Sequence, residues 1–181
     1  MAIPAGRYAL GPDDGTLSVR TQKTGAAAMA GHNLLFHVTS WEAVLVVGDD
    51  QADAVIEISA DGGSLRVQEG SGGVQSLSDD QKKEIEQTID DEVLKGERIS
   101  FESTSVRAEG GGLRVEGDLT LHGTTRPLGF DVAMPGDGTL GATAVIKQTD
   151  WGMKPYSTLF GALKVVDEVE VSIDARLGPQ G

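Results

Sequence analysis

Three histidines, His32, His37 and His122, are the residues best suited to acid–base or metal chemistry, since the chain contains no cysteine. His32 and His37 lie five residues apart, and His122 falls in a different predicted strand, on its outward side. The spacing does not match a paired-histidine metal motif such as His-Glu-x-x-His. We therefore expect each histidine to make a local hydrogen bond, and we predict no metal site and no catalytic residue. Metal binding by these histidines is the less favoured alternative.

Two further stretches resemble ligand-binding motifs. Asp49, Asp50 and Asp53 cluster near a predicted turn, but they lack the spacing and the glycine of a calcium-binding loop. A solvated loop is therefore expected, with adventitious calcium binding as the alternative. Residues 136–141 read Gly-Asp-Gly-Thr-Leu-Gly, the glycine pattern of dinucleotide-binding loops. That mechanism needs a helix directly after the loop. Strand-like alternation follows instead, so the stretch predicts a hairpin turn and no cofactor.

Charge and composition exclude several classes of protein. The 28 acidic and 15 basic residues give a net charge of −13, which disfavours binding to nucleic acid and docking on anionic membranes. The longest apolar run, residues 43–47, is too short to span a bilayer, so no membrane insertion is expected. Residues 1–8 contain no apolar stretch typical of a secretory signal. This predicts a cytoplasmic protein, with a mature exported chain as the alternative.

Most of the chain alternates between apolar and polar residues, as half-buried antiparallel strands do. Val169, Val171 and Ile173 share one side of the last predicted strand, and Leu113 and Val115 begin another series. Glycine-rich turns separate these short strands. The spacing predicts an antiparallel sandwich or barrel. The apolar positions change phase near Ser40, which predicts a bulge or turn there.

One segment, residues 78–94, breaks the strand pattern. Ser78 and Gln81 have the spacing of a capping box. Ile85, Ile89 and Val93 then recur every four residues among polar ones. This predicts an amphipathic helix of about four turns, inserted midway, whose apolar stripe covers one end or flank of the barrel.

Small residues on the inward side of the strands predict either a ligand cavity or a closely packed core. Ala142, Ala144 and Gly117 have inward parity and would leave space in a barrel large enough for one small ligand. Alternating small and large residues also fill solid cores. The residues alone favour neither interpretation.

Several segments resemble the YceI-like family of lipocalin-like proteins, which is associated with binding polyisoprenoids and other amphiphiles. The strongest match is residues 117–128, Gly-Asp-Leu-Thr-Leu-His-Gly-Thr-Thr-Arg-Pro-Leu. Residues 99–104, Ile-Ser-Phe-Glu-Ser-Thr, and 149–153, Thr-Asp-Trp-Gly-Met, match in the same order. The resemblance runs from about Tyr8 to Leu177. It implies an all-β fold, an extended antiparallel lipocalin-like β-barrel with one inserted amphipathic α-helix, and a single YceI-like domain over residues 1–181.

The resemblance and the alternation together predict that the barrel binds, transports or stores an isoprenoid or other lipid-like amphiphile. The alternatives are a small-molecule enzyme using His32 or His37 and a ligand-free stress or interaction protein. A closed barrel has no edge strands to pair, so we expect a monomer or a homodimer. The predicted ligand-binding residues are Phe36, Trp41, Phe101, Phe130, Ala142, Ala144 and Ile146.

Overall fold

The computed structural model describes residues 3–50 and 53–178. Residues 1–2, 51–52 and 179–181, which include both ends of the predicted domain, lie outside the described residues. The strands in chain order are β1 (Gly6–Leu10), β2 (Gly15–Thr21), β3 (Lys23–Thr24), β4 (Asn33–Val38), β5 (Trp41–Val47), β6 (Val55–Asp61), β7 (Leu65–Ser71), β8 (Arg98–Glu109), β9 (Gly112–Leu121), β10 (Thr124–Ala133), β11 (Thr139–Lys147), β12 (Ser157–Thr158), β13 (Leu163–Val165) and β14 (Glu168–Arg176).

Eleven of these strands form one curled antiparallel sheet in the order β1-β5-β6-β8-β9-β10-β11-β14-β2-β4-β7. A second sheet has the order β12-β13-β3. The predicted all-β, lipocalin-like barrel with one inserted helix is confirmed. Buried apolar side chains form two clusters. Five partly buried residues pack against both of them: Ile58, Leu94, Leu140, Val171 and Leu177.

A bent hairpin joins the two ends of the large sheet. One arm of the hairpin is β4 followed by β5, and the other is β6 followed by β7. β4 pairs with β7 at one end of the strand order, and β5 pairs with β6 near the other end. At the corner the Thr39 N–H donates to the Ser64 carbonyl oxygen (2.9 Å) and the Asp61 N–H donates to that of Ser40 (3.0 Å). The bend places Phe36 and Trp41 inside although their parity differs, as the change of phase near Ser40 predicts.

The hairpin does not abolish the sheet edges. The prediction that no edge strand remains is wrong, because β1 and β7 end the order of described strands. The inserted helix covers the edge of β7: the Glu86 carboxylate accepts a hydrogen bond from the Val67 N–H (2.9 Å). An edge donor that would otherwise need water or another chain is thereby satisfied.

The inserted helix begins with the predicted capping box. Ser78 Oγ accepts from the Gln81 N–H (3.2 Å), and Gln81 Oε1 accepts from the Ser78 N–H (2.9 Å). Helix α1 spans Asp79–Thr88. It then widens into a π-helical segment, Ile89–Leu94, which ends at Lys95 in the left-handed conformation. The sequence predicts a continuous α-helix here, and the π-helical last part is the difference.

Replacing Ile89 by aspartate is expected to destabilise the fold by about 2 kcal/mol, because it removes a side chain packed on the core and places a carboxylate among apolar neighbours. Thermal unfolding measures the effect. Lys83→Asp, at an exposed position six residues earlier on the same helix, is the matched control and should change stability by less than about 0.5 kcal/mol. Equal melting of the two variants would show that the helix is not docked through Ile89.

The turn between β9 and β10 is shorter than the sequence predicts. The glycine and proline at positions 123 and 127 of the sequence predict a tight turn bracketed by Gly123 and Pro127, but Pro127 lies inside β10, opposite Asp118. The turn consists of His122 and Gly123, both with positive φ (53° and 69°), as in two-residue hairpins of type I′. Thr120 and Thr125 face each other across the two strands, with their hydroxyls 2.7 Å apart. The hydroxyl pair supports a structural rather than a catalytic role for these threonines.

Strands β10 and β11 pair over only two positions, Val132 with Ala142 and Ala133 with Gly141. Beyond them the strands diverge. Trp151, in a short helix after β11 (Gln148–Trp151), packs against this part of the sheet and is 4% exposed. Its Nε1–H donates to the Leu119 carbonyl oxygen (3.0 Å). The helix that carries this ring contacts β10, which pairs with β11 over only those two positions.

Candidate ligand-binding cavity

A cavity of about 620 Å³ lies inside the curled sheet. Ligand pockets typically measure about 300–1,000 Å³, whereas a solid core leaves only voids near the size of a water molecule. The inward side chains of the sheet form most of its wall, for example Val19 of β2, Ile99 of β8 and Val171 of β14. Of the two interpretations left open by the small inward residues, the volume favours a container.

Six of the seven predicted ligand-binding residues line this cavity: Phe36, Phe101, Phe130, Ala142, Ala144 and Ile146. The rings of Phe101 and Phe130 pack on one another with centroids 5.2 Å apart. The seventh, Trp41, is buried in the core and is not part of the wall. Whether the six bind a ligand stays a prediction.

Gly117 does not leave the space that its inward parity suggests. A Cβ there would lie 2.6 Å from Cζ of Phe101 and 2.3 Å from the Glu102 carbonyl oxygen. The missing side chain is therefore replaced by the Phe101 ring, which packs onto the glycine. Ala142 and Ala144, by contrast, lie on the cavity wall, so their small size does leave room.

The inserted helix closes one side of the cavity. Ile85 and Ile89, and Val93 and Leu94 in its π-helical part, line the wall. Their four-residue spacing predicts the apolar stripe, but the sequence does not show that the stripe faces a cavity. Polar residues of the helix, Gln81 and Glu84, also line it.

The small sheet of β12, β13 and β3 contributes two cationic side chains to the wall, Lys23 and Lys164, which no sequence pattern marks. Lys23 lines the cavity, and its Nζ donates to the carbonyl oxygens of Gly31 (3.0 Å) and Gly72. No carboxylate among the described residues lies within 4.0 Å of this ammonium group. An ammonium has three N–H donors, so one remains after the two carbonyl bonds. Lys23 can therefore bind the polar end of a ligand.

The segment after β11 is fixed to the chain before β14. Gln148, which lines the cavity, is buried and donates from Nε2 to the Val166 carbonyl oxygen (3.3 Å). Thr149 donates to the Asp167 carboxylate from its hydroxyl (2.6 Å) and its N–H (2.9 Å). The hydroxyl bond above all holds the pKa of Asp167 below its ordinary value. These bonds fix the cavity wall on that side.

The three histidines do not come together. His32 lines the cavity, and its Nε2 lies 2.5 Å from the Gln75 carbonyl oxygen. His37 belongs to the outward parity of β4 and is not part of the wall. His122 lies in the β9–β10 turn, with Nδ1 4.0 Å from Glu97 Oε2. Within residues 3–50 and 53–178 no three histidine, aspartate or glutamate side chains are grouped to hold a metal ion.

The sequence of this chain is similar to those of known proteins. The profile of the YceI-like domain matches residues 8–177. A UPF0312 protein of Serratia proteamaculans is 44% identical over 87 residues, which cover 48% of this chain and 40% of that protein. The chain thus matches less than half the length of this curated relative.

Solved structures share the fold at low sequence identity. BcnA of Burkholderia cenocepacia superimposes with a TM-score of 0.62 at 14% identity, covering 88% of this chain and 94% of that one. A polyisoprenoid-binding domain from Saccharophagus degradans, implicated in plant cell wall breakdown, gives 0.52 at 10% identity over 97% and 100%. In the part of the chain that the structure describes, no helix has the length and apolar character to cross a membrane.

Proposed function

The chain belongs to the YceI-like family, and we propose that its cavity binds an isoprenoid or another lipid-like amphiphile for transport or storage. The observation that carries the proposal is the cavity of about 620 Å³, whose wall is predominantly apolar and which the inserted helix covers. The polyisoprenoid-binding domain among the structural neighbours supports the same class of ligand. The role is binding rather than catalysis.

Desolvation of an apolar chain supplies enough free energy for this role. Burying about ten CH₂ groups contributes roughly 8 kcal/mol at about 0.8 kcal/mol each. Association costs at least about 4 kcal/mol of lost translational and rotational freedom. Contacts at the polar end then need to contribute only a few kcal/mol more for micromolar binding.

The apolar chain would lie against the wall formed by Phe36, Phe101, Phe130 and Ile146, with Ala142 and Ala144 leaving room beside it. Trp41 would not touch the ligand. It would affect ligand binding only by stabilising the core cluster that packs under β5. The polar end would lie at Lys23, whose ammonium group has no carboxylate within 4.0 Å among the described residues.

The direct test is solvent extraction of the purified protein followed by mass spectrometry, together with uptake of a fluorescent prenyl or fatty acid probe. We expect a lipid-like molecule in the extract or stoichiometric uptake of the probe. Ala144→Phe protein from a parallel preparation, with a ring in the cavity, is the control. Repeated absence of both extracted ligand and probe uptake in the wild-type protein would overturn the proposal.

Lys23→Met is expected to weaken binding of a fatty acid about tenfold while leaving binding of the fatty alcohol of equal chain length unchanged. Removing the charge removes a charge-assisted hydrogen bond, and partial exposure of Lys23 places the effect at the low end of such bonds. Competition with a fluorescent probe measures both affinities. Lys83→Met, at an exposed helix position that does not line the cavity, should change neither. Equal loss of acid and alcohol binding would assign Lys23 a structural role instead.

The catalytic alternative has less support. Of its two candidate bases, His37 lies outside the cavity wall, and His32 donates from Nε2 to a backbone carbonyl. Turnover of a small apolar substrate that is lost in His32→Ala would favour catalysis.

A further inference from the structure

Four large apolar side chains are exposed around one side of the cavity: Met29, Val74, Leu159 and Phe160, which we call the apolar rim. Met29 is 77% exposed and Phe160 is fully exposed. Apolar residues exposed one at a time need no explanation, whereas a group of them next to a ligand cavity indicates an interaction site. We propose that the apolar rim docks on the surface of a lipid bilayer, so that the cavity exchanges its ligand directly with the membrane. This inference rests on the proposed function.

The rim residues lie beside residues of the cavity wall. The Ala27 N–H, close to Met29, donates to the Ala162 carbonyl oxygen (2.8 Å), which follows Leu159 and Phe160. Gly31 packs against the Leu163 side chain, and both line the cavity. These two segments therefore form one continuous surface that includes part of the wall.

Val74 reaches the same region through His32. Gly73 packs on the His32 ring, and the Gln75 carbonyl oxygen lies 2.5 Å from His32 Nε2. His32 lines the cavity. The exposed Val74 side chain is thus held next to the wall from a third segment of the chain.

The backbone at Leu159 and Phe160 is costly for these residue types. Both have positive φ, 53° and 55°, a conformation that costs about 1–2 kcal/mol per residue outside glycine. The fully exposed Phe160 ring gains no burial in return. An apolar side chain presented outward in this way stabilises contact with another apolar phase rather than the fold of the chain itself.

The charge distribution permits approach to lipid headgroups. The chain carries a net charge of −13. Yet residues 21–41 and 154–166, which carry three of the four rim residues, contain Lys23, Lys154 and Lys164 and no aspartate or glutamate. The net charge alone disfavours approach to a surface rich in phosphate groups, but the positive charge of these two segments favours approach by the rim side. Because the acidic residues lie in the rest of the chain, repulsion from the phosphate groups turns the rim toward the membrane.

A bilayer fits this surface better than a protein partner does. The rim consists of exposed apolar side chains from three segments that border the cavity wall. Side chains of this kind enter the headgroup boundary of a membrane without any spanning element. A sparingly soluble ligand could then pass between bilayer and cavity without crossing bulk water.

The test compares the double variant Leu159→Ser/Phe160→Ser with Val145→Ser, which removes an exposed apolar side chain from the outer side of β11. Flotation with phosphatidylcholine vesicles, without any probe, measures docking. We expect wild type and Val145→Ser to bind the vesicles and the double variant to bind at least about tenfold more weakly. Met29→Ser, on a different segment, should weaken docking in the same direction.

A second measurement follows transfer of a fluorescent fatty acid from vesicles to protein. If transfer requires docking, the transfer rate of the probe rises with vesicle concentration. The double variant should lose this dependence. Its equilibrium affinity for the probe should stay unchanged. Absence of vesicle binding by the wild type, or equal binding by the double variant, would overturn the inference. So would self-association through the rim, seen as a concentration-dependent dimer that the double variant abolishes. Failure of the proposed function is distinguishable, since it would appear as no probe uptake by any form of the protein.

Discussion

Replacing Ala144 by phenylalanine is expected to lower the affinity for a fluorescent fatty or prenyl probe by at least about thirtyfold, with little loss of stability. The Ala144 side chain lines the cavity, on the strand position opposite Val171. A ring there would occupy the volume of several CH₂ groups of a ligand chain. Excluding about three of them removes roughly 2 kcal/mol of desolvation free energy. Probe titration and thermal unfolding of the same variant measure both effects.

Val145→Phe is the matched control, since Val145 is the next residue on β11 and points outward, 56% exposed. The same added ring outside the barrel should leave probe affinity unchanged. If the cavity did not accept the ring at position 144, overpacking would cost about 1–3 kcal/mol. Unchanged probe binding by Ala144→Phe together with lower stability would contradict the placement of the ligand at this position.

The sequence predicts those parts of the fold whose signal is local. Alternation along β14 and β11 fixes which side chains face inward, because parity in a strand sets the face. The Ser78–Gln81 spacing marks where the helix begins, because the cap needs only neighbouring residues. Six cavity residues follow from parity alone. Trp41 shares that inward parity but lies in the core beside the cavity, because burial depends on the bend of the whole sheet.

What the sequence could not predict depends on contacts between distant segments. Gly117 has inward parity, yet its space is taken by Phe101 of the neighbouring strand. Lys23 lines the cavity because β3 pairs with β13, some 140 residues further along the chain. The apolar rim is likewise assembled from three separate segments. Parity gives no information about such pairings.

The two buried tryptophans, Trp151 and Trp41, test how much ring packing and hydrogen bonding each contribute to the stability of the barrel. Trp151→Ala is expected to cost about 3–5 kcal/mol, the range for removing a buried aromatic side chain. The loss should be near the upper end, because the ring packs against the region where β10 and β11 have separated and no strand can close the gap. Urea unfolding measures the free energy.

Phenylalanine substitutions separate the hydrogen bond from the packing. Trp151 donates to the Leu119 carbonyl oxygen (3.0 Å), whereas Nε1 of Trp41 is buried without a partner among the described residues. Both rings are nearly inaccessible, 4% and 6% exposed, so the loss of ring volume is similar. Trp151→Phe leaves a buried acceptor short of its donor, which costs about 1–3 kcal/mol. Trp41→Phe removes an unpaired donor, and the relief offsets part of the packing loss.

We therefore expect Trp151→Phe to be less stable than Trp41→Phe by about 1 kcal/mol or more, a difference of roughly 2–4 °C in melting temperature for a chain of this size. The comparison cancels the common loss of ring volume and leaves the hydrogen bond as the difference. Equal or greater destabilisation by Trp41→Phe would show that packing alone decides the contribution of both rings. In that case the Trp151–Leu119 bond would not be what stabilises the sheet beside β10.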